Sequence, residues 1–240
     1  VLMDVNDQDV VVIQNTFPDK KIVELLLILQ AVKEAGAKTV TCVIPYMGYS
    51  RQERIFQSGE ARSAKAIASV IGGMCNRVFT INVHTPEILK FFGCEANDIN
   101  GSREVVRYLK GFGPDMVIAP DEGSRDRCTL AADLLKVPVH VMKKVRIDGR
   151  TVETSSGQIN VKGSTAVILD DIISTGGTIA TAANILRDGG AERVFAACTH
   201  GLFIEDAANR LRVCDDILSS DTLEGVYTRF SVAPAIADAL

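Results

Sequence analysis

The sequence predicts an α/β fold of two similar domains, each with a parallel sheet flanked by helices. First, apolar runs typical of buried strands alternate with helical segments along most of the 240 residues, which indicates βαβ units. Second, hydrophobic residues make up 47% of the chain and aromatic residues only 5%. Such a composition favours a parallel sheet filled with Val, Ile, Leu and Ala. Third, one βαβ pattern occurs twice in the chain.

The predicted elements follow one another in a regular order. The strand DVVVIQ is rich in β-branched residues, and the helix DKKIVELLLILQAVKEAG after it ends at Gly36, a favourable C-terminal cap. The strand KTVTCVIP stops at Pro45. The alternation continues through ARSAKAIASVIGG, RVFTINVH, GSREVVRYLKGFG, DMVIAP, RDRCTLAADLLK and VPVHVM. The polar segment RIDGRTVETSSGQINVKG breaks the pattern, and we expect a mobile loop or a hairpin there.

The repeated pattern occupies residues 9–46 and 164–201. Each copy has an apolar strand, a turn, an amphipathic helix, a joint (AGAKTV or GGAERV) and a second apolar strand. This similarity indicates an ancient duplication, so the two halves should share one fold. Only the second copy has Asp-Asp and Gly-Gly after its first strand, and we therefore expect the chemistry mainly there.

Composition and charge exclude several classes of function. The net charge of −4 gives no basic field for nucleic acid, and no apolar stretch is long enough to span a membrane. The start, VLMDVNDQD, is acidic where a signal peptide would be basic. None of the six cysteines forms a C-x-x-C pair, which favours buried, reduced thiols and a cytoplasmic protein.

The stretch VILDDIISTGGTIATA (167–182) is the main candidate site. Ligands of open parallel sheets bind beyond the carboxyl ends of the strands, where Asp170 and Asp171 are predicted to lie. The turn after them leads into a helix N-terminus, which favours phosphate. Its residues are Ser174, Thr175, Gly176, Gly177 and Thr178. Two carboxylates would repel phosphate unless they accept hydrogen bonds from sugar hydroxyls, so we expect a sugar phosphate. The alternative is an Asp-capped turn without a ligand.

The same stretch resembles the phosphoribosyl-diphosphate (PRPP) binding loop of type I phosphoribosyltransferases and of ribose-phosphate diphosphokinases, the PRPP synthetases. Four more stretches resemble synthetase motifs, in the synthetase order. They are VIPYMGYSRQER (43–54), INVHTPEILKFF (81–92), APDEGS (119–124) and MKKVR (142–146). From about Val10 onward the chain is thus similar to synthetases, archaeal ones in particular. The resemblance implies two type I phosphoribosyltransferase-like domains, 1–100 plus 225–240 and 101–224, with the active site between them.

The resemblance also implies a reaction. Synthetases transfer the diphosphoryl group of ATP to the C1 hydroxyl of ribose 5-phosphate, giving PRPP and AMP, with Mg²⁺. Asp170 and Asp171 would hold the ribose hydroxyls, and residues 174–178 the 5-phosphate. His84 and Asp121 match the pair that the family uses for the Mg²⁺ carried by ATP. Because Mg²⁺ prefers oxygen ligands, we expect Asp121 to ligate it and His84 to act through water or on a phosphate.

The resemblance assigns the remaining site residues to two charged segments. Arg51, Gln52 and Arg54 would contact ATP. Lys144 and Arg146 match the catalytic Lys-x-Arg of a flexible loop that closes over the diphosphoryl group, with Lys143 as the alternative lysine. Taken alone, SRQER and KKVR are each more typical of a solvated surface turn.

Two other functions stay open: a phosphoribosyltransferase that consumes PRPP, and a non-catalytic synthetase-like regulatory subunit. The resemblance implies a homo-oligomer, a dimer or larger. His140 is expected in a strand or core, and His200 is unassigned. The sequence lacks the family's adenine-reading motif, of Phe-x-Asp-Gly-Glu type, so we expect that a segment precedes residue 1 and that this chain alone binds ATP weakly.

Overall fold

The computed structural model describes residues 1–146, 152–155 and 159–240. These residues form two compact units, Val1–Asn100 and Gly101–Leu240. Each unit contains a parallel sheet with helices, so the predicted fold class is confirmed. No helix among the described residues is long and apolar enough to cross a membrane.

The first unit is a four-stranded parallel sheet in the order β1-β2-β3-β4. Its elements are β1 (Asp9–Ile13), α1 (Lys20–Glu34), β2 (Thr39–Ile44), α2 (Ser63–Gly72), β3 (Arg77–Ile81), a 3₁₀ helix (Pro86–Phe91) and β4 (Glu95–Ile99). The core packs Leu25 and Leu29 of α1 and Ile71 of α2 against the sheet. Loops that follow β2 and β3 carry the predicted nucleotide residues.

The second unit contains a six-stranded sheet in the order β12-β11-β10-β9-β5-β6, with every pair parallel. Its elements are α3 (Ser102–Leu109), β5 (Met116–Ala119), α4 (Arg125–Leu135), β6 (Val139–Val141), β7 (Lys143–Arg146), β8 (Val152–Ser155), β9 (Thr165–Ile173), α5 (Gly177–Asp188), β10 (Arg193–Gly201), α6 (Ala207–Arg210), β11 (Asp216–Ser220), β12 (Thr228–Phe230) and α7 (Ala233–Ala239). In β9, Ile168 and Val167 enter different core clusters. Alternate strand residues point to opposite faces, so this strand is covered on both sides.

The two βαβ copies of the repeat end their helices in the same way. Gly36 after α1 and Gly190 after α5 both have left-handed backbones, with φ of +85° and +88°. The next residue closes the same hydrogen bond in each copy, from Ala37 N–H to the Val32 carbonyl and from Ala191 N–H to the Leu186 carbonyl. Glycine adopts this conformation without a steric penalty, which explains the shared joint in AGAKTV and GGAERV.

Several elements differ from the sequence expectations. Strand β4 has the mainly polar sequence EANDI, in which Ile99 is the buried apolar residue, so its apolar signal is weak. Strand β3 ends at Ile81 rather than His84, because Asn82 takes a left-handed backbone with φ of +44°. The segment from Gly225, expected to return to the first domain, belongs to the second unit in this structure. There β12 pairs with β11, and α7 contacts α3.

The polar segment after β6 contains an antiparallel hairpin of β7 and β8, one of the two expectations for it. Residues 147–151 and 156–158 lie outside the described part of the chain. The predicted mobility of this loop concerns these residues and stays a prediction. His140 lies in β6, as expected.

Candidate active site

The acid pair lies near the carboxyl end of strand β9, at the carboxyl edge of the second sheet. β9 continues to Ile173, so Asp170 and Asp171 are strand residues rather than loop residues. Asp171 is buried and Asp170 half-buried. The backbone N–H of Asp171 donates to Oδ1 of Asp170 at 2.9 Å. The predicted position at the carboxyl end of a strand is thus close to the observed one.

Arg127 on α4 joins the two acids. Its Nη1 lies 3.0 Å from Oδ1 of Asp170 and 3.0 Å from Oδ1 of Asp171. Ser124, just before α4, donates its hydroxyl to the same oxygen of Asp170 at 2.8 Å. One cation therefore offsets much of the repulsion between the two carboxylates.

The burial of Asp170 changes its protonation. The pKa of this carboxyl is raised to about 7, first by loss of water around it and then by the charge of Asp171 and a hydrogen bond with it, while Arg127 and Ser124 lower the pKa in part. Asp170 is thus a carboxyl that changes charge near neutral pH, where small changes in its surroundings alter how well it accepts hydrogen bonds.

This pKa predicts a pH-dependent stability difference between the wild type and Asp170→Asn. The unfolded carboxyl loses its proton near pH 4 and the folded one near pH 7. Between these values the folded state holds more protons, so the wild type loses stability as the pH rises. The neutral Asn variant lacks this term. Urea unfolding at about pH 5 and about pH 8 should show the variant gaining roughly 1 to 3 kcal/mol over the wild type. A constant difference between the proteins would contradict the raised pKa.

The Gly-rich turn connects β9 to α5. Gly176 has φ of +74° and precedes the first residue of α5, Gly177. Ser174 and Thr175 are half-buried and Thr178 is exposed. The first N–H groups of a helix have no partner within the helix and favour anions. The turn thus has the backbone of a phosphate site, directly after the acid pair in the chain.

The loop after β10 forms hydrogen bonds with the backbone of this turn. The Ile204 N–H donates to the Ser174 carbonyl at 3.2 Å, and the Arg210 guanidinium donates to the Thr175 carbonyl at 3.0 Å. A Cβ on Gly176 would lie 3.0 Å from Cγ of Leu211. Contacts from residues 204–211 therefore fix the carbonyls of the turn before any ligand binds, which lowers the entropic cost of binding.

Gly176→Ala should destabilise the protein by about 1 to 2 kcal/mol from its left-handed backbone alone, with the contact to Leu211 adding to this. Gly177→Ala is a matched control because its Cβ would meet no atom within 4 Å and alanine favours a helix. Thermal unfolding without ligand measures both variants. Equal melting temperatures for the two would show that Gly176 does not need its left-handed conformation.

Asp121 and His84 belong to different units. Asp121 follows β5, and its Oδ1 lies 3.2 Å from Oγ of Ser124, so Ser124 lies between Asp121 and the acid pair. His84 is half-buried in the loop between β3 and the 3₁₀ helix. No group of three or more His, Cys, Asp or Glu side chains arranged for a metal ion occurs among the described residues. The carboxylate of Asp121 suits Mg²⁺, whose other ligands would be waters and phosphate oxygens.

The loop after β2 presents the predicted ATP residues. Arg51, Gln52 and Arg54 are exposed, and the loop is fixed by a hydrogen bond from the Gln52 N–H to the Tyr49 carbonyl at 2.8 Å. The guanidinium of Arg54 lies 4.9 Å from the ring centre of Phe56. Exposed cations on a loop with a fixed backbone can contact a polyphosphate, and their role in binding ATP stays a prediction.

The side chains of Lys144 and Arg146 lie outside what the structure describes. Their backbone is strand β7, in which Lys143 pairs with Ser155 and Lys144 with Thr154. The hairpin therefore fixes the register of both lysines, and their catalytic roles stay predictions.

Sequence reasoning missed Arg127 and Ser124 and left His200 unassigned. Arg127 lies 43 residues before Asp170, and no local pattern connects them. The available signal was its position just after APDEGS, at the start of the helix that follows β5, the neighbour of β9 in the sheet. His200 is buried in β10, with Nδ1 2.9 Å from Oγ1 of Thr222, so it belongs to a buried polar network of β10 and β11.

A doubly covered parallel sheet with an acid pair followed by a glycine turn and a helix N-terminus is typical of domains that bind sugar phosphates. Models of known families define the class further. Residues 1–74 match the N-terminal domain of ribose phosphate pyrophosphokinase, and residues 100–232 match the phosphoribosyl transferase domain. The chain belongs to the ribose-phosphate pyrophosphokinase family.

Individual relatives agree with this assignment. The chain is 38% identical to a ribose-phosphate pyrophosphokinase of Methanopyrus kandleri, over 98% of this chain and 83% of the relative. It is 39% identical to that of Methanosarcina mazei, over 99% and 80%. A crystal structure of phosphoribosylpyrophosphate synthetase from Mycobacterium smegmatis superimposes with a TM-score of 0.84 at 28% identity, over 99% of this chain and 83% of that one.

Proposed function

We propose that this protein transfers the diphosphoryl group of ATP to the C1 hydroxyl of ribose 5-phosphate, giving PRPP and AMP. The observation that carries the proposal is the acid pair joined to the glycine turn in the second unit, in a chain whose first unit matches the N-terminal domain of the pyrophosphokinases. The turn suits a sugar 5-phosphate, and the acids suit the ribose hydroxyls.

The second unit would bind ribose 5-phosphate through two kinds of contact. Backbone N–H groups and hydroxyls of residues 174–178 would donate to the phosphate, helped by the helix dipole. Asp170 and Asp171 would accept hydrogen bonds from the 2′ and 3′ hydroxyls. Since Arg127 holds one oxygen of each acid, the carboxylates are oriented before the sugar arrives, and less entropy is lost on binding.

The first unit would bind ATP through Arg51, Gln52 and Arg54, with His84 on a phosphate or on water. Asp121 would hold Mg²⁺ through a carboxylate oxygen. When bound, Mg²⁺ neutralises charge on the phosphate oxygens. Transfers of this kind depend mainly on positioning and charge neutralisation, and Lys144 and Arg146 would add positive charge over the transferred group and exclude water.

The test is an assay of the purified chain with ribose 5-phosphate, Mg²⁺ and ATP raised to saturation, because this chain alone is expected to bind ATP weakly. Equimolar AMP and PRPP, detected by chromatography and by phosphorus NMR, are the expected products. A phosphoribosyltransferase would instead consume PRPP when a nucleobase is supplied, and a regulatory subunit would form no product yet bind ribose 5-phosphate. Either result would overturn the proposal. Homo-oligomerisation stays a prediction of the family resemblance, and a cytoplasmic location stays a prediction from the reduced cysteines.

A further inference from the structure

The segment 14–19, between β1 and α1, is the counterpart in the first repeat copy of the glycine turn after β9. Its sequence, QNTFPD, has neither the Asp-Asp pair nor a glycine. The proposed reaction gives this segment no role, yet Thr16 within it is fully buried. A buried polar residue in a loop needs hydrogen-bond partners, and the partners of Thr16 indicate what the segment does.

The partners belong to the loop after β2 (residues 45–54), which carries the predicted ATP residues and which we call the ATP loop. The Thr16 hydroxyl accepts the Gly48 N–H at 2.7 Å, and the Thr16 N–H donates to the Tyr46 carbonyl at 3.2 Å. Oδ1 of Asn15 accepts the Tyr46 N–H at 2.8 Å. Tyr46 and Gly48 are buried, so their backbone groups need such partners. Two residues of the segment thus satisfy three backbone groups of the ATP loop.

The two loops are also closely packed. A Cβ on Gly48 would lie 2.7 Å from the Thr16 carbonyl oxygen, so a larger residue at position 48 would push the two backbones apart. The rings of Phe17 and Tyr46 meet edge to face, with 6.0 Å between their centres, a favourable aromatic geometry. Segment 14–19 and the first half of the ATP loop therefore form one packed structure.

A further contact lies just before the predicted ATP residues. Tyr49 has a left-handed backbone with φ of +62°, which is uncommon for a residue other than glycine. Its hydroxyl donates to Oδ1 of Asp19 at 3.0 Å. Arg51 follows two residues later in the chain. The bond from Tyr49 is exposed, so we assign the main effect on the loop to the buried bonds of Asn15 and Thr16.

We propose that Asn15 and Thr16 are positioning residues that hold the ATP loop in its binding conformation. This inference rests on the proposed function, which assigns Arg51, Gln52 and Arg54 to ATP. A loop that is ordered before binding loses less entropy when the ligand arrives. Without the Thr16 hydroxyl, the buried Gly48 N–H loses its acceptor. The loop then opens more often, and ATP binds more weakly.

The first experiment measures opening of the loop by limited trypsin digestion without ligand. Trypsin can cleave after Arg51 and Arg54, which are exposed, and cleavage after Lys162, in an exposed turn of the second unit, is the internal reference. Thr16→Val keeps the shape of the side chain and removes the hydroxyl. It should raise cleavage in the ATP loop, relative to cleavage after Lys162, at least about fivefold. Thr16→Ser restores the hydroxyl and should keep the wild-type ratio.

Thr39→Val is a matched control for the loss of a hydroxyl. The Thr39 hydroxyl donates to Oδ1 of Asp9 at 2.6 Å, at the opposite end of β1 and β2, so this variant should also keep the wild-type ratio. If Thr16→Val does not fold, Asn15→Ala takes its place, because Asn15 is half-buried and its loss removes one bond of the loop. An unchanged ratio, or an equal rise after Lys162, would overturn the proposal.

The second experiment separates the two substrates. Thr16→Val should raise KM for ATP about five- to fiftyfold and change kcat and KM for ribose 5-phosphate less than about twofold, since it weakens binding of ATP in the ground and transition states alike. An unchanged KM for ATP, or equal losses for both substrates, would overturn the proposal. If the wild type forms no AMP, the proposed function fails, and the digestion ratio decides the positioning on its own.

Discussion

Lys144→Ala is expected to lower kcat by about 10² to 10⁴-fold while leaving the affinity for ribose 5-phosphate almost unchanged. A cation placed over the transferred group interacts most strongly when charge develops in the transition state. Removal of such a contact lowers kcat and kcat/KM together and changes substrate binding little. Steady-state rates of AMP formation give the first quantity, and calorimetric titration with ribose 5-phosphate gives the second.

Lys143→Ala is the matched control. The two lysines occupy consecutive positions of β7, opposite Ser155 and Thr154, so each variant removes one positive charge from neighbouring positions in the chain. If only position 144 carries the reaction, Lys143→Ala keeps most of its turnover. Near-normal turnover in Lys144→Ala would remove that residue from the mechanism, and a large loss in Lys143→Ala would then assign the role to its neighbour.

The sequence predicts the βαβ units of this protein well because their signals are local. An apolar run predicts a strand, a glycine predicts the end of the helix, and a second apolar run predicts the next strand. The similarity of the two repeat copies therefore includes their backbone conformation, as the matching φ angles of Gly36 and Gly190 illustrate. The backbone of the glycine turn was also predictable, since a left-handed residue such as Gly176 and a helix start are encoded within a few residues.

The parts of the site that depend on packing could not be predicted in this way. The pairing of Arg127 with the acid pair needs β5 and β9 to be neighbours in the sheet, which no local pattern specifies. The raised pKa of Asp170 depends on burial by distant segments. Strand β4 is mainly polar and is recognisable only from its pairing with the edge of β3. In each case the decisive partner lies far away in the sequence.

Asp171→Ala is expected to weaken ribose 5-phosphate binding by about 10 to 100-fold and to leave ATP binding unchanged or slightly stronger. Hydrogen bonds to a charged acceptor contribute about 1.5 to 3 kcal/mol, and the variant loses those from the sugar. It also leaves Arg127 with Asp170 as its partner in the acid pair. The site thus becomes more positive, which by charge alone favours any anionic ligand. Selective loss of the sugar phosphate must therefore come from the hydroxyl contacts.

Calorimetric titration with each substrate measures the two affinities, and two variants serve as controls. Asp126→Ala removes the same charge from an exposed position on α4, so it should change both affinities little. Asp171→Asn keeps the size of a buried side chain beside Arg127, and it should weaken sugar binding even if the alanine variant unfolds at lower temperature. Equal losses for ATP and ribose 5-phosphate would instead mean that Asp171 acts on something both substrates share, such as a bound metal ion, rather than on the ribose hydroxyls.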